Sequence, residues 1–167
     1  MGNDERLIAF YRGEGHDHKG RQLEDIWALP SFWLEHTHDY IQWLFPIPEM
    51  GRFNAFAPLL TSEVQAAFER EASLRQRQQK SLDVMLDLFG LEREDHIISA
   101  QLDLSIQTHI WLKVGGHNHL RITRIIRSIA LCHQPELARA FQQSVIDIGT
   151  QHGVVSETSV QFWRDAV

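Results

Sequence analysis

Three groups of side chains in this 167-residue sequence have types and spacings that chemistry uses. The first follows Gly116, where His117, Asn118, Arg121 and Arg124 open a stretch of helical periodicity. At ~3.6 residues per turn, His117, Arg121, Arg124 and Ser128 stack in one row. Arginine grips a carboxylate or phosphate with two parallel hydrogen bonds from its planar fork. A helix start adds backbone N–H groups and a dipole that also favour an anion. These four residues therefore make a candidate anion site. The competing assignment for Arg121 and Arg124 is a structural ion pair with acids such as Glu35 or Asp39.

The second group is Glu35-His36-Thr37-His38, the Glu-x-x-His spacing that di-iron carboxylate bundles use twice, together with two further glutamates. The sequence holds no second copy. A single metal ion gathered from Glu35, His38 and one of His117 or His119 is the other metal reading. The third group is the loop from Gly13 to Gly20, GEGHDHKG, with two histidines and two acids. A glycine-rich surface loop does not hold metal ligands in fixed geometry. No glycine-rich phosphate loop, nucleophile elbow or His-Glu-x-x-His pattern occurs. Serine, histidine and aspartate are present, but any triad of them has to be assembled by the fold. No catalytic residue is assigned, and neither a cofactor nor a bound metal is expected.

The elements that must position these groups read as helices. The run Trp33 to Pro46, WLEHTHDYIQWLFP, is read as one helix between prolines. Its apolar arc carries Trp33, Leu34, Thr37, Tyr40, Ile41, Leu44 and Phe45, while Glu35, His38, Asp39 and Gln42 fall on the polar arc. Trp33 then sits at the centre of the buried face and Trp43 at its polar edge, so Trp33 is expected to matter more for stability and Trp43 for binding. Further helices are expected near residues 3–12, 22–29, 63–71, 73–89, 117–133, 135–150 and 156–163. Ser62 with Gln65 is a possible capping box, and Gly13, Gly90 and Gly153 are stops. Residues 46–60, with three of the five prolines, form an irregular connection that packs down through Phe53, Phe56 and Leu60. Residues 91–112 are assigned to helical turns, because no partner strand is evident nearby. The fold class is all-α: one domain over residues 1–167, an irregular bundle of about six to nine helices.

A net charge of −6 disfavours non-specific nucleic-acid binding, which depends on Lys and Arg neutralising phosphates. Cys132, the single cysteine, excludes an internal disulfide and is expected to be a buried, inert thiol. No secretory signal is seen, and no run reaches the ~18 apolar residues of a membrane span. A soluble, cytoplasmic protein is expected.

Tyr40-Ile41-Gln42-Trp43-Leu44-Phe45-Pro46, with Leu34-Glu35 and His38 ahead of it, resembles the signature of the opioid growth factor receptor conserved domain. Phe10-Tyr11-Arg12, Phe53-Asn54 with Ala57-Pro58-Leu59-Leu60-Thr61, and His117-Asn118-His119-Leu120-Arg121-Ile122-Thr123-Arg124-Ile125 match the same family in order. The resemblance implies a domain named for binding the opioid growth factor, the pentapeptide Met-enkephalin, and unrelated to the seven-helix opioid receptors. Eukaryotic members are nuclear or perinuclear and carry long tails with repeats and basic signals; a chain ending at Val167 is expected to be a stand-alone domain of bacterial type. The resemblance transfers no ligand-binding residues. From the residues themselves, the expectation is a non-enzymatic binding module for a short peptide or small anionic ligand. Arg121 or Arg124 would take its carboxylate, Glu35 or Asp39 its amine, and Trp43 would form an aromatic wall, with His38, His117 and Asn118 nearby. The alternatives are a metal-binding or hydrolytic bundle using Glu35, His38, His117 and His119, and a structural or assembly protein.

Overall fold

Helix α1 (Asn3–Arg12) starts with Asp4 and Glu5 in its first turn, beside the positive helix end, and stops at Gly13 with φ 80°, the left-handed conformation that glycine adopts without strain. The computed structural model describes residues 2–52 and 54–167. Phe53, assigned above to a motif and to the buried connection, lies outside them. The order continues with α2 (Leu23–Trp27), α3 (Ser31–His36), α4 (Ile41–Leu44), α5 (Ser62–Arg70), α6 (Ala72–Leu88), strands β1 (Leu91–Glu94) and β2 (Ile97–Ala100), a 3-10 turn (Ile110–Leu112), α7 (His117–Leu131), α8 (Pro135–His152) and α9 (Glu157–Asp165). Nine α-helices and one two-stranded sheet among the described residues make the all-α irregular bundle that periodicity predicts. No helix among them is long and apolar enough to cross a membrane. The chain groups into two compact units, residues up to 81 with 131–133, and residues 82–130 with 134–167.

In the first unit, the single helix expected from Trp33 to Pro46 is two short ones. Thr37 is extended (φ −97°, ψ 127°), and helical geometry resumes only at Ile41. The break resets the helical phase, so the wheel misplaces Trp33, Gln42 and Trp43, while Leu34, Tyr40, Ile41, Leu44 and Phe45 are buried as their arc predicts. Trp33 is 54% exposed, with its ring edge-on to the exposed Phe32, whereas Trp43 is 3% exposed. Gln42, expected on the polar arc, is also buried.

What holds α4 in place is a directional chain of hydrogen bonds. The Trp27 Nε1–H donates to Ser81 Oγ at 2.9 Å. Ser81 Oγ lies 3.2 Å from the Tyr11 hydroxyl, which in turn donates to the Leu44 carbonyl. One hydroxyl proton per residue satisfies this chain if Ser81 donates to Tyr11. Burial raises the Tyr11 pKa far above its ordinary value, so the phenol stays protonated and remains a donor. Phe10 meets Trp43 edge-on at 5.2 Å, and Tyr11 meets Phe68 of α5 at 5.3 Å. Arg12 closes the same edge with a two-pronged contact to Glu71 at 2.8 and 2.9 Å. The Phe10-Tyr11-Arg12 and Tyr40-to-Pro46 motifs are thus one packed structure. Helix α5 is capped by Thr61, whose Oγ1 accepts from Val64 N at 3.3 Å, rather than by Ser62.

In the second unit, residues 91–100 overturn the expectation of helical turns. They form an antiparallel hairpin with Leu91 opposite Ala100 and Glu94 opposite Ile97. The reversal uses Asp95 at φ 58°, a left-handed conformation that a short polar side chain tolerates. The partner strand is supplied two residues away. Arg93 braces the turn, with its fork on Asp83 at 2.7 and 3.0 Å and Nη1 on the Asp95 carbonyl. Gly90 (φ 74°) ends α6 where a Cβ would come within 2.8 Å of the His109 ring, so no larger residue fits. Strand β2, the 3-10 turn and α9 pack on α8. The core there is Phe89, Trp111, Ile122, Ile126, Phe141, Val145 and Trp163, each at most 1% exposed.

Candidate functional site

The residues expected to bind ligand fall into two groups. Glu35, His38, Asp39 and Trp43 belong to the first unit; His117, Asn118, Arg121 and Arg124 belong to the second.

In the first group, half-buried Glu35 lies in the last turn of α3, and exposed His38 lies beyond the break at Thr37. They are not on successive turns of one helix, which a Glu-x-x-His metal motif requires. Among the described residues, no three His, Cys, Asp or Glu side chains are grouped to hold a metal ion. Asp39 has partners that its sequence neighbours do not reveal. Its Oδ1 accepts from Arg21 Nη1 at 3.0 Å, its backbone carbonyl from Arg21 Nη2 at 3.2 Å, and His18 Nε2 stands 3.4 Å from Oδ2. Arg21 also donates through Nε to Asp17 Oδ2 at 2.6 Å, and buried Asp17 accepts from the backbone N–H groups of Lys19 and Arg21. The Gly13–Gly20 loop is therefore pinned by an ion-pair network. His18 stacks between Phe56 (4.4 Å, 14°) and Trp43 (6.2 Å, 9°). The Arg6 guanidinium lies 5.8 Å from the Trp43 ring centroid. Spacing alone carries little signal for this cluster, because Asp17 and Arg21 meet through a turn.

In the second group, α7 begins at His117 after the Gly115-Gly116 break. Asn118, Arg121 and Ser128 are buried, His117 and Arg124 half-buried. Arg121 is only 4% exposed, and its Nη1 donates to Asn118 Oδ1 at 3.3 Å, one turn back along the helix. The polar row read from the sequence is real, but it is sunk into the protein.

His119, named only in the alternative reading, is the most constrained of the histidines singled out. Its Nε2 lies 2.6 Å from the Trp111 carbonyl and its Nδ1 2.6 Å from Ser159 Oγ. A carbonyl only accepts, so Nε2 carries the proton, and in the neutral ring Nδ1 accepts from the serine hydroxyl. Both nitrogens are engaged, which leaves neither for a metal. The ring packs at 5.1 Å on Trp163, whose Nε1–H donates to the His119 carbonyl at 3.1 Å. Burial lowers the His119 pKa below its ordinary value, opposed by the backbone carbonyls of Trp111 and Lys113.

This lowering has a measurable consequence. Below pH ~6.5 the unfolded chain binds a proton at this position that the folded chain resists, so the contribution of His119 to stability is intact above pH ~6.5 and declines as pH falls through that value. A proton-detected titration of the imidazole is expected to give a midpoint below the ordinary histidine value of about 6.5. A midpoint at or above that value would show that burial does not control this ring.

Residues 8–167 match the family model described as the opioid growth factor receptor (OGFr) conserved region. The opioid growth factor receptor of Mus musculus is 33% identical over 174 residues, which cover 96% of this chain and 26% of that protein. The opioid growth factor receptor-like protein 1 of Xenopus tropicalis is 36% identical over 139 residues, covering 78% of this chain and 27% of that protein. The human opioid growth factor receptor is 34% identical over 131 residues, 73% of this chain and 19% of its own length. The chain thus spans about a quarter of the mouse and frog relatives. No solved structure matches it. The motifs that lock α1 onto α4 and open α7 lie within a family match running from residue 8 to the end, and the chain belongs to the opioid growth factor receptor conserved-region family.

Proposed function

We propose that this chain is a binding module for a ligand with a free carboxylate, a short peptide or small anion, held by the α7 row of His117, Asn118, Arg121 and Arg124. The observation that supports it is Arg121. Its guanidinium is nearly removed from water, and its Nη1 donates to Asn118 one turn earlier. A desolvated, pre-oriented fork binds an anion more strongly than a mobile surface arginine does. The half-buried Arg124 follows one turn later. The relatives are named as receptors for an opioid growth factor, which agrees with a peptide-sized ligand.

Calorimetry with the pentapeptide Met-enkephalin, as free acid and as C-terminal amide, tests this reading. The free acid is expected to bind, and Arg121→Ala and Arg124→Ala to weaken it by at least about tenfold with the helical circular dichroism kept, as truncating one partner of a desolvated charge pair does. The amide should bind the wild type poorly and lose little more in the variants. Equal binding of acid and amide, or unfolding of both variants, would assign the two arginines to the scaffold.

A further inference from the structure

The contact between His119 and Ser159 lies away from the arginine row and lines a cleft of about 150 Å³ within the second unit. We propose that Ser159 and His119 are a nucleophile and its general base, able to transfer a short acyl group from a carboxylic ester to water.

The order of hydrogen bonds is that of an activated serine. The Ser159 hydroxyl donates to His119 Nδ1, and His119 Nε2–H donates to the Trp111 carbonyl, each at 2.6 Å. The carbonyl takes the place that a carboxylate holds in a Ser-His-Asp triad: it fixes the tautomer, orients the ring, and stabilises the imidazolium that forms. The ring packs on Trp163 at 5.1 Å, and the backbone carbonyl of His119 accepts from Trp163 Nε1 and Thr123 Oγ1, each at 3.1 Å. Ser159 sits in the first turn of α9, a nine-residue helix, and so near the positive helix end. Ser156 caps that helix by accepting from Ser159 N at 3.1 Å, and its own hydroxyl lies 3.2 Å from Ser159 Oγ, which holds the nucleophile's rotamer. Gly116, Leu120, Phe162 and Trp163 complete the cleft. Leu120 is 71% exposed and Phe162 58%, so the mouth is apolar and open to solvent. A space of this size accommodates an acetyl or butyryl chain.

The chemistry balances with water as the only co-reactant. Ser159 Oγ attacks the ester carbonyl carbon, its proton passes to His119 Nδ1, and the carbonyl π pair moves to oxygen. Collapse of that oxyanion breaks the bond to the alcohol oxygen, which leaves with the proton from Nδ1. Water then adds to the acyl-serine while Nδ1 takes its proton. The second collapse releases the carboxylic acid and returns the proton to Oγ. Nε2–H stays on the Trp111 carbonyl throughout. The sequence pattern hides this pair, since 40 residues separate its members.

The test uses the full chain with two probes, a small alkyl fluorophosphonate and p-nitrophenyl butyrate. Peptide mass mapping is expected to place the phosphonyl group on Ser159. Ser159→Ala, which removes one hydroxyl near the surface, is expected to keep its fold, lose the label and reduce butyrate hydrolysis at least tenfold. His119→Gln should reduce labelling at Ser159 as strongly; because a buried ring is removed, its fold is checked by circular dichroism, and Ser159→Ala decides the question alone if it unfolds. No label on Ser159 in the folded wild type, or hydrolysis unchanged in Ser159→Ala, would overturn the proposal and leave the pair as a contact that seats α9. Neither result bears on carboxylate binding at Arg121 and Arg124.

Discussion

Trp43→Ala is expected to cost roughly 3 to 5 kcal/mol of folding stability, and Trp33→Ala less than about 1 kcal/mol. Trp43 is 3% exposed and contacts Phe10 edge-on, His18 face-on and the Arg6 guanidinium. Its removal leaves a large cavity in a packed region, and the surroundings collapse only partly into such a space. Trp33 is 54% exposed and contacts Phe32, which is itself exposed. Little apolar area returns to water when it is cut back. The indole Nε1–H of Trp43 is buried with no acceptor among the described residues, so Trp43→Phe is expected to recover much of the loss. Urea unfolding of the three variants gives the comparison. A larger loss at Trp33 than at Trp43 would mean that the helix continues through Thr37 and that the packing of α4 described above is wrong.

Tyr11→Phe is expected to lose about 1 to 3 kcal/mol, the cost of leaving a buried acceptor without its donor. The Leu44 carbonyl loses the phenol proton, and Ser81 loses the acceptor through which the chain from Trp27 runs. Ser81→Ala should fall in the same range, because it strips Trp27 Nε1 of its acceptor as well. The two losses should not add. In the double variant the shared bond is already gone, and groups in one hydrogen-bond network couple by about 0.5 kcal/mol or more. Strict additivity in a double-mutant cycle would show that Tyr11 and Ser81 are independent of each other.

Several features follow from local chemistry, and the sequence alone determines them. Gly13 ends α1, Pro135 begins α8, and the long amphipathic segments from Ala72 and His117 are helices. The all-α class follows from these segments, and family membership from the order of four motifs. What sequence reasoning missed depends on partners distant along the chain. Residues 33–46 carry a helical pattern throughout, yet Thr37 is extended and Ile41 to Pro46 are buried from all sides. Tertiary contacts from Tyr11 and Phe10 pull α4 into the core, and they outweigh the small propensity of a few residues to continue a helix. The hairpin at residues 91–100 depends on Asp95 accepting a positive φ, a backbone state that hydrophobic periodicity does not report. The arginine row on α7 was legible because it repeats with the helix, but its burial was not, since a wheel shows which residues share a face and not what covers it. The pairs Asp39 with Arg21 and His119 with Ser159 were illegible for a simpler reason. Each joins residues from distant segments, 18 and 40 positions apart, and only the folded chain brings their polar atoms within hydrogen-bonding distance.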